Sequence, residues 1–374
     1  MRVAVNTRFL LAGKMEGIGR FTHEILSRMV HNHPDVEFIF IFDRPYDEQF
    51  IYGPNVTPVV ASPPARHPFL YLIWFEWALP RVIKRYKPDV FLSTDGYCSL
   101  STNIPTTLVI HDIAFEHIPD AMNRIGMWYH KKYFPKFVNM AGRIAAVSQY
   151  TKTDLCQTYG VSADKIDVVY NAASKRFKPS TPEQISIWRK DKTNGKRYFL
   201  YVGAMHPRKN VANLLRAFDI YSQSAYDALP LVIVGRKAWD TQEIEAAYQQ
   251  LNRKDLVIFT NRVTDEDLVQ WVASSHCLVY VPYFEGFGLP IVEAMACGVP
   301  VITSDCTSMP EVGGKAALLV NPSDHKDIAQ ALTQMANDQQ LYQSHQALTI
   351  MQAAKFNWDQ SAEKLWQSML NSMK

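Results

Sequence analysis

Short apolar runs alternate with stretches of helical periodicity along most of the chain, in two series. In the first, Val3 to Val5, Glu37 to Phe42, Val90 to Leu92, Thr107 to Ile110 and Arg143 to Val147 read as strands. Ile18 to Val30 and Phe69 to Tyr86 read as helices between them. A polar segment from Lys175 to Lys196, with Pro179, Pro182 and Asn194-Gly195, breaks the rhythm and reads as a linker. The alternation then restarts with strands at Tyr198 to Val202, Leu231 to Val234, Leu256 to Phe259, Cys277 to Val281, Val299 to Thr303 and Ala317 to Val320. Helices are expected among them at Val211 to Ser224 and Asp265 to Ala273. Repeated strand–helix units imply mostly parallel sheets with right-handed crossovers. Two such sheets joined by a linker predict an α/β chain of two doubly wound domains facing across a cleft. No repeat of fixed period is visible.

The most specific chemistry lies where the fourth strand of the second series hands over to a helix. Glu285-Gly286-Phe287-Gly288-Leu289-Pro290-Ile291-Val292-Glu293 sets two acids eight positions apart around a glycine-bearing loop. In open α/β sheets, ligands bind in the crevice outside the carboxyl ends of the strands. Gly286 and Gly288 permit backbone conformations closed to other residues, and Pro290 suits the first helical position. N–H groups around Gly288 and Leu289 would face an anion. Glu293, expected in the first turn, and Glu285 would each accept hydrogen bonds from a polyol. A phosphate between two hydroxyl-rich groups is the outline of a nucleotide sugar. The same spacing also suits a plain strand–loop–helix junction with an acid favoured by the helix dipole.

Gly203-Ala204-Met205-His206-Pro207-Arg208-Lys209-Asn210 follows the first strand of the second series. Its Arg and Lys at a helix start form a diphosphate grip of one fork and one point charge, or a solvated basic turn. Val234-Gly235-Arg236 is a weaker signal of the same kind. In the first series, Gly17-Ile18-Gly19-Arg20 offers a tight turn and a close backbone approach. Thr22 stands where a dinucleotide fingerprint needs a third glycine, so that fingerprint is not met. His111-Asp112 follows a strand, where an imidazole suits a sugar contact or a cap.

Composition narrows the field. At 374 residues, two domains are expected. A formal charge of +3 gives no argument for nucleic acid. The five cysteines form no C-x-x-C and read as reduced thiols of a cytoplasmic protein. Met1 to Leu10, with Arg2, Asn6, Thr7 and Arg8, is expected to be a first strand and not a signal peptide, and the sequence shows no 18-residue apolar run. Neither a metal-ligand cluster nor a Walker loop or nucleophile elbow is found, so a diphosphate would be held by backbone N–H, Arg and Lys. Two aromatic–basic stretches, His67 to Lys87 and Trp128 to Lys136, suit a bilayer surface, a lipid-linked substrate or buried helices with basic ends.

Taken together, the Glu285 to Glu293 loop, Gly203 with Arg208-Lys209-Asn210, His111-Asp112, Gly17-Ile18-Gly19 and Ser308-Met309-Pro310-Glu311-Val312-Gly313-Gly314 resemble the retaining glycosyltransferases of family 4. That resemblance, which extends to bacterial mannosyltransferases, implies the GT-B fold of two Rossmann-like domains. It places an acceptor-binding domain at residues 1–178, with a C-terminal helix at about 357–374 crossing back to it, and a donor-binding domain at 179–356. It gives Glu285 the donor-sugar hydroxyls, Glu293 the ribose, and Arg208 and Lys209 the diphosphate, with backbone around Gly203, Gly286, Phe287, Gly288 and Leu289. Gly17 and Gly19 would approach the phosphates, His111 would lie near the anomeric carbon, and Arg262-Val263 would seat the base. His111, Glu285, Arg208 and Lys209 form the expected catalytic set. Implied with them are a UDP- or GDP-sugar donor, a glycan or lipid-linked acceptor, no metal and no separate cofactor. The implied site of action is the cytoplasm, at the inner face of the membrane where lipid is contacted. A nucleotide-sugar epimerase and a non-catalytic sugar-nucleotide binder are the rival readings.

Overall fold

The computed structural model describes residues 1–65, 67–118, 124–236 and 242–374. They divide into two compact units, Met1–Asn171 with Asn357–Lys374, and Ala172–Phe356.

The first unit is built on a seven-stranded sheet in the order β3-β2-β1-β4-β5-β6-β7. Its strands are β1 Arg2–Asn6, β2 Glu37–Phe42, β3 Val56–Val60, β4 Val90–Ser93, β5 Thr106–Ile110, β6 Arg143–Ala146 and β7 Ile166–Val168. Every pairing is parallel. The central strands are buried along nearly their whole length, as expected for a sheet covered on both faces. Sequence periodicity does not reveal β3 and β7. β3 is an edge strand with a half-exposed pattern and an internal Pro58, and β7 has three residues. The helix Trp358–Asn371 packs on helix Gly17–Asn32 and on β5, β6 and β7 of this unit.

The second unit carries a six-stranded parallel sheet in the order β10-β9-β8-β11-β12-β13. The strands are β8 Phe199–Val202, β9 Leu231–Val234, β10 Val257–Asn261, β11 Cys277–Tyr280, β12 Val301–Ser304 and β13 Ala317–Val320. Here the expected linker is corrected. Residues Pro182–Thr193 form a helix with a capping box from Thr181 and Gln184, and left-handed Asn194 ends it. Trp188 meets Trp271 edge-on at 5.3 Å, and Arg189 Nε donates to the Ser274 carbonyl at 2.8 Å. The Pro and Asn-Gly signals punctuate a helix, which is held by tertiary contacts invisible to local composition.

In both sheets the strand order reverses beside the first strand, between β1 and β4 and between β8 and β11. Those switch points open the crevices where such sheets bind ligands.

Candidate functional site

Two loops meet at the switch point of the second sheet. After β8 the chain makes a short 3-10 turn, Pro207–Lys209, closed by left-handed Asn210. Asn210 Nδ2 donates to the carbonyls of Val281 (2.9 Å) and Pro322 (2.7 Å), and Tyr283 N donates to the Arg208 carbonyl at 3.0 Å. The basic turn is thereby fastened to the loop after β11, which carries Glu285.

That fastening brings three of the predicted residues into one cluster. Arg208 Nη1 donates to Glu285 Oε1 at 2.8 Å and to the Phe284 carbonyl at 3.1 Å. Lys209 Nζ pairs with the same carboxylate oxygen and donates to the Tyr280 hydroxyl at 2.5 Å. Burial pushes the Glu285 carboxyl up, but Arg208, Lys209 and the Tyr280 hydroxyl outweigh it and hold the group below the usual carboxylate range. Two cations share one acid, so the cluster has a net positive charge suited to an anion. Arg208 keeps a quarter of its side chain exposed, enough for its fork to reach a ligand. Tyr280 is a member the sequence reading missed. Its one signal was a tyrosine inside a buried strand, where the hydroxyl must find a polar partner.

The loop between the two glutamates differs in detail from the sequence reading. The helix begins at Leu289, with Gly288 as N-cap at φ 90°. Pro290 is therefore second, and Glu293, buried, lies beyond the first turn. The positive φ favours glycine at 288, and a Cβ there would meet the movable end of Met309, at 2.7 Å from its Cε. Phe287 turns its ring into the core, edge-on to Phe356 at 5.3 Å. Gly203, at φ 150°, ends β8, and a Cβ at Gly235 would lie 1.9 Å from the Gly203 carbonyl oxygen. Gly235 is thus a packing glycine. Arg262 and Val263 follow β10 after a left-handed Asn261, Arg262 being exposed. A cavity of about 450 Å³ lies nearby, lined by Met205, Ile244, Tyr248 and Phe259 among others.

The remaining predicted residues lie in the first unit. Gly17 and Gly19 are not a loop: they form the first turn of helix Gly17–Asn32. A Cβ at Gly19 would lie 2.6 Å from the Phe9 carbonyl oxygen, so the close approach there is by the chain itself. His111 follows β5, and its Nε2–H donates to the Thr94 carbonyl at 2.9 Å. Burial lowers its pKa, with the Thr94 bond acting in the opposite direction. Phe21 meets the ring edge-on at 5.1 Å. Asp112 Oδ1 accepts from Ala114 N at 3.0 Å, capping the next turn.

Thr94 belongs to a network that the sequence does not announce. At the first sheet's switch point Arg8 Nε meets Asp95 Oδ2 at 2.5 Å, both nearly sealed from solvent, and Asn6 Nδ2 donates to the same oxygen at 2.9 Å. Thr94 Oγ1 donates to the Asn6 carbonyl, which fixes the loop that His111 bonds.

The arrangement is a strand-end crevice with a net-positive, acid-anchored basic cluster beside a helix start. The model for glycosyl transferases group 1 matches residues 183–349, and that for glycosyltransferase family 4 matches residues 15–174. The chain belongs to the family 4 glycosyltransferases and has their GT-B type of fold, two Rossmann-like parallel-sheet units. It is 27% identical over 356 residues to O-antigen chain mannosyltransferase B of Escherichia coli, covering 92% of this chain and 93% of that one. Over 283 residues it is 29% identical to O-antigen chain mannosyltransferase RfbU of Salmonella typhimurium, covering 75% and 74%. Among solved structures, Anabaena HepE in complex with UDP and glucose superposes with a TM-score of 0.76 at 18% identity, over 99% of both chains.

Proposed function

We propose that this glycosyltransferase moves a hexose, mannose in first place, from a nucleoside-diphosphate sugar to a glycan or lipid-linked acceptor in surface polysaccharide assembly, with retention of anomeric configuration. The observation that carries the reading is the cluster of Arg208, Lys209 and Glu285 beside the Leu289 helix start. As the sugar–phosphate bond lengthens, negative charge collects on the diphosphate. Arg208, Lys209 and the first helical N–H groups are set to stabilise it without reorganising, which is the task a metal performs elsewhere. The sugar passes through an oxocarbenium-like state, and an acceptor hydroxyl attacks from the face the nucleotide leaves. Glu285 keeps both cations in place and offers its remaining lone pairs to the sugar, with Glu293 assigned to the ribose. The two O-antigen mannosyltransferases support mannose. The roles of His111, Gly17, Gly19, Arg262 and Val263 rest on the family resemblance.

The test is a donor panel, GDP-mannose and UDP-hexoses, scored by release of GDP or UDP with mannosyl oligosaccharide acceptors and with EDTA present. GDP release from GDP-mannose in EDTA is expected. Arg208→Ala and Lys209→Ala should each lower kcat by about 10²- to 10³-fold. Unchanged turnover in either variant would remove the diphosphate assignment.

The membrane enters the proposal through the first unit. Among the described residues no helix is long and apolar enough to cross a membrane. Two packed helical segments, however, present exposed aromatics beside basic residues, and we assign that face to the inner surface of the cytoplasmic membrane.

A further inference from the structure

The ends of β1, β4 and β5 in the first sheet are tied together by one buried polar network. Asp95, just past β4, accepts on Oδ2 from Arg8 Nε at 2.5 Å and Asn6 Nδ2 at 2.9 Å. On Oδ1 it accepts from Ser93 Oγ at 3.0 Å and Tyr97 N at 3.3 Å. Asn6, the last residue of β1, accepts from Arg8 N on its side chain at 3.3 Å and from Thr94 Oγ1 on its carbonyl at 3.1 Å. Asn6, Arg8, Ser93, Thr94 and Asp95 are all buried. A buried ion pair adds little net stability, and its best-attested use is to specify one arrangement over others. The arrangement specified here is that of the Thr94 carbonyl, which accepts from His111 Nε2 at 2.9 Å past the end of β5.

A carbonyl can only accept, so this bond puts the proton of a neutral imidazole on Nε2 and the lone pair on Nδ1. Burial outweighs the pull of Asp112 and Asp95 and lowers the pKa of the ring, which keeps it neutral at pH 7. His111 is half-buried, and its Nδ1 has no hydrogen-bond partner among the described residues. A histidine that served the core alone would have both nitrogens satisfied. What remains is a single fixed acceptor. It matches a hydroxyl, which can donate, and not a phosphate or carboxylate oxygen, which when ionised can only accept.

We infer that Asp95, Asn6 and Thr94 are positioning residues that lock His111 in its Nε2–H tautomer, so that Nδ1 accepts from a hydroxyl of the transferred hexose or of the acceptor glycan. This rests on the sugar role given to His111 above. The full chain should be compared with its Thr94→Val variant, in which a methyl replaces the hydroxyl bonded to Asn6, and with Thr94→Ser, which restores it. Heteronuclear NMR of the histidine ring nitrogens, with His111→Gln to assign the signal, is expected to show Nε2 protonated and Nδ1 bare in the wild type and in Thr94→Ser. In Thr94→Val both nitrogens should move towards the averaged shifts of exchanging tautomers. Turnover of GDP-mannose with a mannosyl oligosaccharide should fall roughly tenfold in kcat/KM in Thr94→Val and recover in Thr94→Ser, with calorimetric affinity for GDP unchanged. Weaker binding of GDP-mannose assigns the hydroxyl to the transferred hexose, and a raised acceptor KM alone assigns it to the acceptor. A protonated Nδ1 in the wild type overturns the inference. So do unchanged ring shifts or unchanged turnover in Thr94→Val, a loss of GDP affinity in that variant, or no recovery in Thr94→Ser. A wild type that turns over no donor of the panel overturns the proposed function, while the ring shifts still decide the positioning.

Discussion

Glu285 is held from several sides: Arg208, Lys209 and Tyr280 all meet its carboxylate. From the sequence, Glu285 and the basic pair appear as separate contacts to separate parts of a donor. That each residue faces the crevice was legible, because each follows a strand in a loop with special backbone chemistry. Their mutual contact was not, since β8 and β11 are neighbours only in the folded sheet. The contact has a thermodynamic consequence. A carboxyl held below its unfolded pKa contributes stability that is fully present above the ordinary carboxylate range, and it is lost as pH falls through the lower folded value. Glu285→Gln should therefore unfold at a lower temperature than the wild type at pH 7, by the order of 1–3 kcal/mol, because two half-buried cations lose their partner. The difference should shrink as pH drops below about 4, the usual carboxylate range. A constant difference from pH 7 to pH 3 in thermal unfolding would show that the charge of Glu285 is not what matters.

At the scale of elements, the segment expected as one helix from Phe69 to Tyr86 is continuous but not uniform. It runs Pro68–Ile73, a π-helical stretch Trp74–Ala78, and Leu79–Tyr86. Phe69, Ile73 and Trp77 are exposed at four-residue steps, Phe69 to 59% and Trp77 to 63%. Four residues overshoot an α-helical turn by about 40°, so such a row would spiral round the helix. The wider π turn takes back part of that drift and keeps Ile73 and Trp77 in line. Helix Arg124–Met140 packs alongside and exposes Ile125 and Trp128, with Lys132 Nζ 4.8 Å from the Trp128 ring. These two segments carry a single acid, Glu76, which accepts from Leu100 N. Aromatics with a basic rim suit an anionic bilayer surface, each added Lys or Arg contributing about 1 kcal/mol. The protein should co-sediment with vesicles containing anionic lipid and much less with purely zwitterionic ones. Trp77→Glu with Trp128→Glu should reduce binding at least tenfold while donor turnover in solution stays unchanged. Equal sedimentation of the double variant would dismiss this face. The sequence showed the aromatic–basic composition, but not which rings face out, because the π turn changes the helical phase.

At the scale of the whole molecule, stability also answers to histidine. His276 is buried in the second unit, donates from Nε2 to the Met335 carbonyl at 2.8 Å and stacks on Tyr342 at 4.4 Å. Burial pushes its pKa down to about 4, despite the opposing Met335 bond. The unfolded chain takes up this proton near pH 6.5 and the folded chain resists until about pH 4, so stability is complete above that window and declines across it, by the order of 3 kcal/mol. His276→Gln should be less stable than wild type at pH 7, and the gap in unfolding temperature should narrow towards pH 4. Parallel pH curves for the two proteins would contradict this. By itself the sequence determined the two series of strand–helix units, most strand positions and which strand-end loops carry Arg208, Lys209 and Glu285. These depend on apolar periodicity and on turn residues, which act within a few positions of the chain. The tertiary structure alone decided that Lys175 to Lys196 holds a packed helix, that Gly19 and Gly235 make room for the chain itself, and that Tyr280 joins the cluster around Glu285. Those outcomes depend on which strand ends become neighbours, and residues that are far apart in sequence meet only when the sheet orders them.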